Sequence, residues 1–413
     1  MAKLILIDMN KNITKNILFA FVLGVIFGIG FNFFKDISPL FYNFFVNTVF
    51  DIGGAIFLKV LKMLVVPIVF CSLICGVCNL SDFSSLGRIS IKTISLYILT
   101  TSIAISVALS IASILDPGIT KIHSIPNKAI EITDAPKISD VVVNIIPQNP
   151  FKALVDGNML QVIFFALLLG ISISLCKEKG KAAGNFFISL NEVILQTLQI
   201  VMIVAPIGIF CLIANTFASQ GIEMIIELAK YFLTVVFVLM IHMFVVYGSL
   251  IKLLTHISPI NFYKKIKESI FFAFSTSSSS ATIPVTMKNV TENLNVKKKV
   301  ASFTVPLGST INMDGTAIMQ GVATVFIANI YSQSLVLSDF LTIIITATLA
   351  SIGTAGVPGV GLIMLGMVLN QVGLPLEGIA IVMGVDRFLD MLRTSVNVSG
   401  DAMVSLIINE SEK

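Results

Sequence analysis

The chain has 413 residues, of which 56% are hydrophobic and only 12% are charged, against roughly 25% charged residues in an ordinary soluble protein. So few charges cannot cover a water-facing surface, so lipid is the solvent for most of the chain and a soluble domain is excluded. The net charge of +4 is too small to mark a nucleic-acid binder, and lysines clustered beside apolar runs set membrane orientation instead.

The first apolar run, Ile17 to Phe34, follows Lys3, Lys11 and Lys15 and lacks a small-residue cleavage signature. It reads as a retained span with a cytoplasmic N-terminus rather than a signal peptide. A crossing needs about 20 apolar residues, and candidate spans follow at 42–78, 89–115, 145–176, 187–217 and 225–254. Further apolar stretches lie near 268–290, 299–330, 336–370 and 373–408, several long enough to tilt or break. Cys71, Cys75 and Cys78 share one helical face inside an apolar run and read as small hydrophobes. The three histidines, at 123, 242 and 256, are too scattered to share a metal.

Basic residues assign the sides. Arg88 and Lys92, then Lys177, Lys179 and Lys181, then Lys252, Lys264, Lys265 and Lys267 mark every second connection, as the cytoplasmic side requires. The 216–224 connection has no Lys or Arg, and the 116–144 loop is of mixed charge. Lys264 to Lys267 precede the 268–290 stretch and Lys297 to Lys299 follow it, so that segment enters and returns on one side. No basic residue flanks the 336–370 stretch, which returns from the opposite side. Two opposed re-entrant hairpins are the mark of an inverted repeat and of a transporter; the competing reading is a run of ordinary spans with weak charge bias.

Between Phe271 to Phe274 and Ile283 to Val285, the first hairpin tip carries Ser275 to Ser280 with Thr276 among them. Polar backbone at membrane depth persists only where it is buried or lines a cavity, and hydroxyls with free N–H groups there suit a carboxylate. A solvated Ser-rich loop is the plainer alternative. The second tip, Ser351 to Gly361, has four glycines and Pro358, which break any helix. Its freed carbonyls suit a hard cation such as Na⁺, and it also serves as a hinge. Gly308 to Thr316 sets Asn312, Asp314 and Gly315 inside an apolar run, which unwinds a helix and offers oxygen ligands suited to alkali or alkaline-earth cations. In the last span Asp386, Asp390, Arg393, Thr394, Asn397 and Asp401 fall at i, i+4, i+7, i+8, i+11 and i+15, within a stripe roughly 100° wide. A charge at mid-bilayer costs about 2.5–3.5 kcal/mol or more, so these groups need partners or a wet cavity. Arg393 either pairs Asp390, as a structural salt-bridge network would have it, or holds a substrate carboxylate bidentately.

Taken in order, the Ser-rich tip, Asn312-Met313-Asp314-Gly315-Thr316, Thr354-Ala355-Gly356-Val357-Pro358-Gly359 and Asp390-Met391-Leu392-Arg393-Thr394 resemble the signatures of the glutamate/aspartate:sodium (dicarboxylate/amino acid:cation) symporter family. Leu61-Lys62-Met63-Leu64-Val65-Val66-Pro67 is similar to that family's second span, so the resemblance covers nearly the whole chain. It implies an all-α polytopic membrane protein with eight transmembrane helices plus two opposed re-entrant helical hairpins, built as a homotrimeric elevator transporter. Residues 1–260 would form spans one to six, a trimerisation scaffold from which spans three and six join the transport domain. Residues 261–413 would form the transport core of hairpin one, span seven, hairpin two and span eight.

The resemblance carries substrate contacts to Ser278, Ser279, Thr316, Val357, Gly361, Asp390, Arg393, Thr394 and Asn397. Asp390 would hold the substrate ammonium, Arg393 the side-chain carboxylate, and Asn397 with the first tip the α-carboxylate. Co-transported Na⁺, a cargo ion rather than a prosthetic group, would bind at Gly308, Asn312, Asn397 and Asp401; at Thr310, Ser351, Ile352 and Thr354; and at Tyr97, Thr100, Thr101, Asn312 and Asp314. Cations there offset carboxylates that are otherwise costly to bury.

Two departures bear on this. Ser277 stands where some prokaryotic members have Arg, while Arg387 appears in the last span beside Asp386, an accessory charge expected to replace it from another helix. Gln320 replaces the Glu of potassium-coupled animal members, so no obligatory potassium counter-transport is expected. The expected function is import of aspartate or glutamate coupled to Na⁺ in a bacterial inner membrane, with both termini cytoplasmic and with no enzyme activity or nucleic-acid partner. Proton coupling and C4-dicarboxylate transport are the alternatives. An intramembrane aspartyl protease using Asp386 and Asp390 is disfavoured, because both project from one helix with Arg393 nearby to keep them ionised. A channel is disfavoured by the hairpins.

Overall fold

Helices are the only regular elements among the described residues of the computed structural model, which describes residues 2–35, 37–78, 83–118, 143, 145–221, 223–351 and 359–412. The long 116–144 loop falls mostly outside this set, as do Ile352, Thr354 and Val357 of the second tip. Among the described residues, Pro39–Phe57, Arg88–Leu115 and Met224–Leu254 are long and apolar enough to cross a membrane. Lys177–Val201 with Ile203–Ser219 makes a fourth if that bent pair is one span.

The first layer is built by close helix packing. α1 (Ala2–Phe34) is followed by the short α2 (Pro39–Phe44), a π-helical turn (Phe45–Phe50), α3 (Asp51–Cys78) and α4 (Phe83–Leu115). After α5 (Pro150–Asp156) and α6 (Met159–Leu175) comes α7 (Lys181–Gln220), the longest helix. α1 lies along α7 with Gly28 pressed on Phe217, where an added Cβ would stand 2.6 Å from the Phe217 Cβ. Small residues at such crossings let apolar helices approach when no hydrophobic force drives them together in lipid. α7 bends by 51° between Val201 and Ile203. Pro206 is the cause, since its ring displaces the carbonyl one turn earlier and removes that hydrogen bond. Outward from this layer Phe33, Leu40 and Ile207 are exposed, as lipid permits and water would not.

The second layer surrounds the last helix. α8 (Glu223–Ile241) passes through a π-helical turn (His242–Tyr247) into α9 (Gly248–Leu254). α10 (Pro259–Thr276) and α11 (Ser279–Lys288) pack on each other across the Ser-rich turn, where Ser277 takes a left-handed φ of 50°. α12 (Lys298–Ile311) stops at Asn312 and Met313 and resumes as α13 (Asp314–Ile330), the break that the Asn-Met-Asp-Gly-Thr segment predicts. α14 (Leu337–Ser351) and α15 (Val360–Gln371) flank the second tip. α16 (Gly378–Ser411) is buried without interruption from residue 393 to residue 409. α8, α10, α12 and α13 enclose it, and α4 lies along α13, so α4 and α8 of the N-terminal part belong to this layer by their packing.

Candidate substrate and cation site

α16 supplies the charges. The Arg393 guanidinium is 1% exposed. Its Nη1 donates to Asp386 Oδ1 and its Nη2 to Asp390 Oδ1, both at 2.7 Å. The stripe therefore brings both carboxylates to one cation, one and two turns away, where Asp390 alone was weighed as a partner from sequence. Arg387 Nη1 stands 3.6 Å from Asp390 Oδ2, so this second cation reaches the group from the last helix. Among the described residues, Arg393 Nε and Asp390 Oδ2 are buried with no hydrogen-bond partner. A buried N–H on a cation and a buried oxygen on an anion, both unmet, cost more than neutral ones.

Gly361 at the start of α15 and Thr316 in α13 close on this group. A Cβ on Gly361 would meet Arg393 Nη2 at 3.2 Å and the Thr316 methyl at 3.3 Å. Gly315 sits on the α16 backbone, where an added Cβ would lie 2.6 Å from the Arg393 carbonyl oxygen. Thr394 spends its hydroxyl on the Asp390 carbonyl. The first tip is held locally: Ser278 caps α11 by accepting from the Ala281 amide, Ser279 is buried, and Ser277 Oγ is buried with no hydrogen-bond partner among the described residues. Ser395 ties α16 to α10 through the Ile270 carbonyl.

A second polar centre lies further along α16. Asn312 Nδ2 donates to Asp401 Oδ1 at 2.9 Å and to the Asn397 carbonyl at 2.8 Å. Asn397 Oδ1 in turn accepts the Gly315 amide at 2.7 Å. Gly308 faces the same carboxylate: an added Cβ would stand 2.3 Å from Asp401 Oδ1 and 2.5 Å from the Tyr97 hydroxyl. Asn312 Oδ1 is buried and accepts no hydrogen bond among the described residues. Asp401 is 2% exposed, and no cationic side chain pairs with it among the described residues. Carboxylate, amide and carbonyl oxygens suit a hard cation of low charge.

Asp314 makes a third centre. Its Oδ1 accepts from Thr101, while its Oδ2 accepts from the Tyr247 hydroxyl at 2.7 Å and meets His242 Nε2 at 3.1 Å. The other residues expected beside it are engaged elsewhere: the Tyr97 hydroxyl donates to the Thr304 carbonyl and Thr100 to the Tyr97 carbonyl. Thr310 bonds back to Leu307 and Ser351 to Thr348, each within its own helix. Four carboxylates, Asp314, Asp386, Asp390 and Asp401, thus stand buried against two guanidinium groups, an imbalance that favours added cations.

The Sodium:dicarboxylate symporter family model matches residues 13–411. The chain belongs to this family. It is 35% identical to the "Proton/sodium-glutamate symport protein" of Geobacillus stearothermophilus, over 94% of this chain and 93% of that one. It is 33% identical to the "Proton/glutamate-aspartate symporter" of Escherichia coli (strain K12), over 96% and 92%. Excitatory amino acid transporter 1 of Ambystoma tigrinum matches at 35%, over 87% of this chain and 76% of that protein. As a member of a symporter family the chain is a multi-pass membrane transporter and not an enzyme.

Within this symporter, sequence reading missed His242 and Tyr247. Five residues apart on an α-helix, they would point about 140° away from each other. The π-helical turn His242–Tyr247 brings both onto Asp314. The available signal was an ionisable residue inside an apolar span, which by default marks a site.

Proposed function

We propose that this symporter imports acidic amino acids, aspartate or glutamate, with sodium ions as the coupled cations. The observation that carries this is the pair on α16 that lacks hydrogen bonds: an Arg393 N–H with no acceptor beside an Asp390 oxygen that Arg387 Nη1 approaches only to 3.6 Å. A zwitterion with an acidic side chain satisfies both. Its side-chain carboxylate takes Nε and Nη2 of Arg393 as a fork, which releases Asp390 to hold the ammonium. A plain C4-dicarboxylate has no cation to offer Asp390, which argues for an amino acid. The relatives named for glutamate and aspartate transport point the same way.

Asn397 and the first tip, with Ser278 and Ser279, take the α-carboxylate in this reading, and Thr316, Val357, Gly361 and Thr394 line the site. Sodium fits the oxygens at Gly308, Asn312, Asn397 and Asp401, because Asp401 is buried without a cationic partner among the described residues and Asn312 Oδ1 is unmet. The set Thr310, Ser351, Ile352 and Thr354 is a further cation position, and the set Tyr97, Thr100, Thr101, Asn312 and Asp314 becomes one when the Thr101 and Tyr247 hydroxyls that now close Asp314 turn their protons away. The two tips act as opposed re-entrant gates in an eight-span fold. The layer around α16, with α4 and α8, moves as an elevator against the α1, α3 and α7 scaffold of a homotrimer. The tight packing of α4 and α8 on α13 supports grouping them with residues 261–413. The protein sits in a bacterial inner membrane with both termini cytoplasmic, as the basic connections indicate.

Two of the relatives carry "proton" in their names, so proton coupling is the second reading. Uptake of labelled aspartate and glutamate into proteoliposomes under imposed gradients separates the two. An inward Na⁺ gradient is expected to drive accumulation with no pH gradient present. Uptake indifferent to Na⁺ and driven by a pH gradient alone would overturn the sodium assignment, and no uptake of either amino acid would overturn the function.

A further inference from the structure

The first hairpin carries a charge that the transport scheme does not use. Seven lysines but only two glutamates fall between Pro259 and Lys299. Lys264, Lys265 and Lys267 stand near the start of α10, Lys288 ends α11, and Lys297, Lys298 and Lys299 open α12. α10 and α11 fold back on each other, and the π-helical turn Asn289–Asn293 after α11 returns to the start of α10, where Asn293 Nδ2 donates to the Lys265 carbonyl at 2.9 Å. The lysines therefore gather at one end of the layer. Among the described residues none of the seven pairs with a carboxylate, whereas Arg88, Lys92, Lys181 and Lys230 each do.

α10 buries Phe262, Ile266, Ser269 and Ala273 on one side. Lys264, Lys267, Phe271 and Phe274 are exposed. At i, i+3, i+7 and i+10 they share the opposite face, within about 80° of one another. Glu268 borders that face and makes no ion pair among the described residues. Two ammonium groups thus give way to two aromatic rings as the helix runs toward the tip. The run from Lys264 to Phe274 is about 15 Å long, half of a hydrocarbon core of about 30 Å. A bias toward positive connections accounts for lysines at this end but not for their sharing a face with exposed phenylalanines.

We infer that this face of α10 seats an anionic phospholipid of the adjoining leaflet. The phosphate lies between Lys264 and Lys267, and an acyl chain runs along Phe271 and Phe274. Lys297, Lys298 and Lys299 add to the positive field at the headgroup. The lysine methylenes stay with the chain while the ammonium groups reach the phosphate level. A soluble anion would meet the lysines and leave the phenylalanines bare, and a neutral lipid would leave the lysines without a counter-charge. The lipid thereby packs on the outer helix of the first hairpin.

The test adds dioleoylphosphatidylglycerol, with dioleoylphosphatidylcholine as the neutral control, to the full-length protein in a non-ionic detergent and follows the melting temperature. A ligand held only by the folded protein raises it. Phosphatidylglycerol is expected to raise it and phosphatidylcholine to leave it unchanged, and the rise should fade as NaCl is added. Lys264→Gln with Lys267→Gln is expected to need about thirtyfold more phosphatidylglycerol for the same rise, since each lysine at an anionic surface contributes a factor of about five. Equal rises with the two lipids, a rise indifferent to salt, or a double variant that responds like the wild type each overturns the proposal. So does an equal rise with glycerol 3-phosphate, which would assign the lysines to a soluble anion. If the double variant does not fold, the salt and headgroup comparisons on the wild type decide.

Discussion

Two buried carboxylate groups of this transporter are built to opposite ends. Asp314 is closed: Thr101 from α4 and His242 and Tyr247 from the π turn between α8 and α9 bond both of its oxygens, and the residue is 0% exposed. The Asp386–Asp390–Arg393 group is buried too but open, with an Arg393 N–H and an Asp390 oxygen that make no hydrogen bond among the described residues. Saturation separates the two. A fully bonded polar network fixes the arrangement of the helices that supply it, whereas a partly bonded one is costly unless a ligand completes it. Asn312 and Asp401 fall between, with one unmet oxygen among good hydrogen bonds.

The comparison breaks most visibly at Arg393. Replacing it by Cys removes the fork for the side-chain carboxylate and leaves Asp386 and Asp390 without their guanidinium. Loss of one member of a desolvated charge pair costs about 2–5 kcal/mol, so aspartate and glutamate uptake in proteoliposomes should fall by about a hundredfold or more. Uptake of serine or alanine is the expected gain. Aspartate affinity preserved in Arg393→Cys would make the group a structural salt bridge, and the contrast with Asp314 would vanish.

Gly308→Ala tests the intermediate case. The new Cβ would stand 2.3 Å from Asp401 Oδ1 and 2.5 Å from the Tyr97 hydroxyl, so at least one must move. If Asp401 holds a cation, displacing it by a few tenths of an ångström raises the Na⁺ requirement, by about tenfold for the loss of one good ligand contact. A sodium titration of aspartate uptake reads this directly. Unchanged sodium activation would take Gly308 and Asp401 out of the cation path.

How far the sequence reached follows from its periodicities. The polar stripe of α16 was legible because an α-helix repeats every 3.6 residues and the stripe holds to that period over fifteen positions. The break at Asn312 and Met313 was legible because polar residues and Gly cannot sit in an apolar helix without unwinding it. The charge parity of the connections marked off two stretches that fold as paired helices, α10 with α11 and α14 with α15. His242 and Tyr247 were not legible as a pair, because a local change of helical period cannot be read from residue type. Asp386 stood in the stripe, yet its bond to Arg393 depends on a rotamer that spacing does not specify.

The closed centre gives the next test. Tyr247→Phe removes a 2.7 Å bond to Asp314 and leaves its Oδ2 with His242. The expected loss is about 1–3 kcal/mol, read as a lower melting temperature in detergent with the aspartate KM nearly unchanged. An aspartate KM that rises with the melting temperature unchanged would mean that saturation does not tell a structural centre from a binding one.

The smallest effect belongs to the end of the last helix, where charges meet water. Glu412 receives Arg88 Nη2 at 2.6 Å and Lys92 Nζ at 2.7 Å, which ties the start of α4 to the end of α16. The hydrogen bonds from Arg88 and Lys92 hold its carboxyl at about 2, below the usual 4.5. Because the folded value is depressed, the tie contributes fully above about pH 4.5 and fades as the pH falls toward 2. Solvent screens the exposed Arg88 partner, so the contribution is small. The melting temperature of the wild type minus that of Glu412→Gln should therefore be positive and flat at neutral pH and should shrink below pH 4.5. A difference that stays constant down to pH 3, within that window, would mean that the ion pairs do not hold these two helix ends together. α4 would then follow α16 through its packing on α13 and its buried bonds to Asp314 and Thr304.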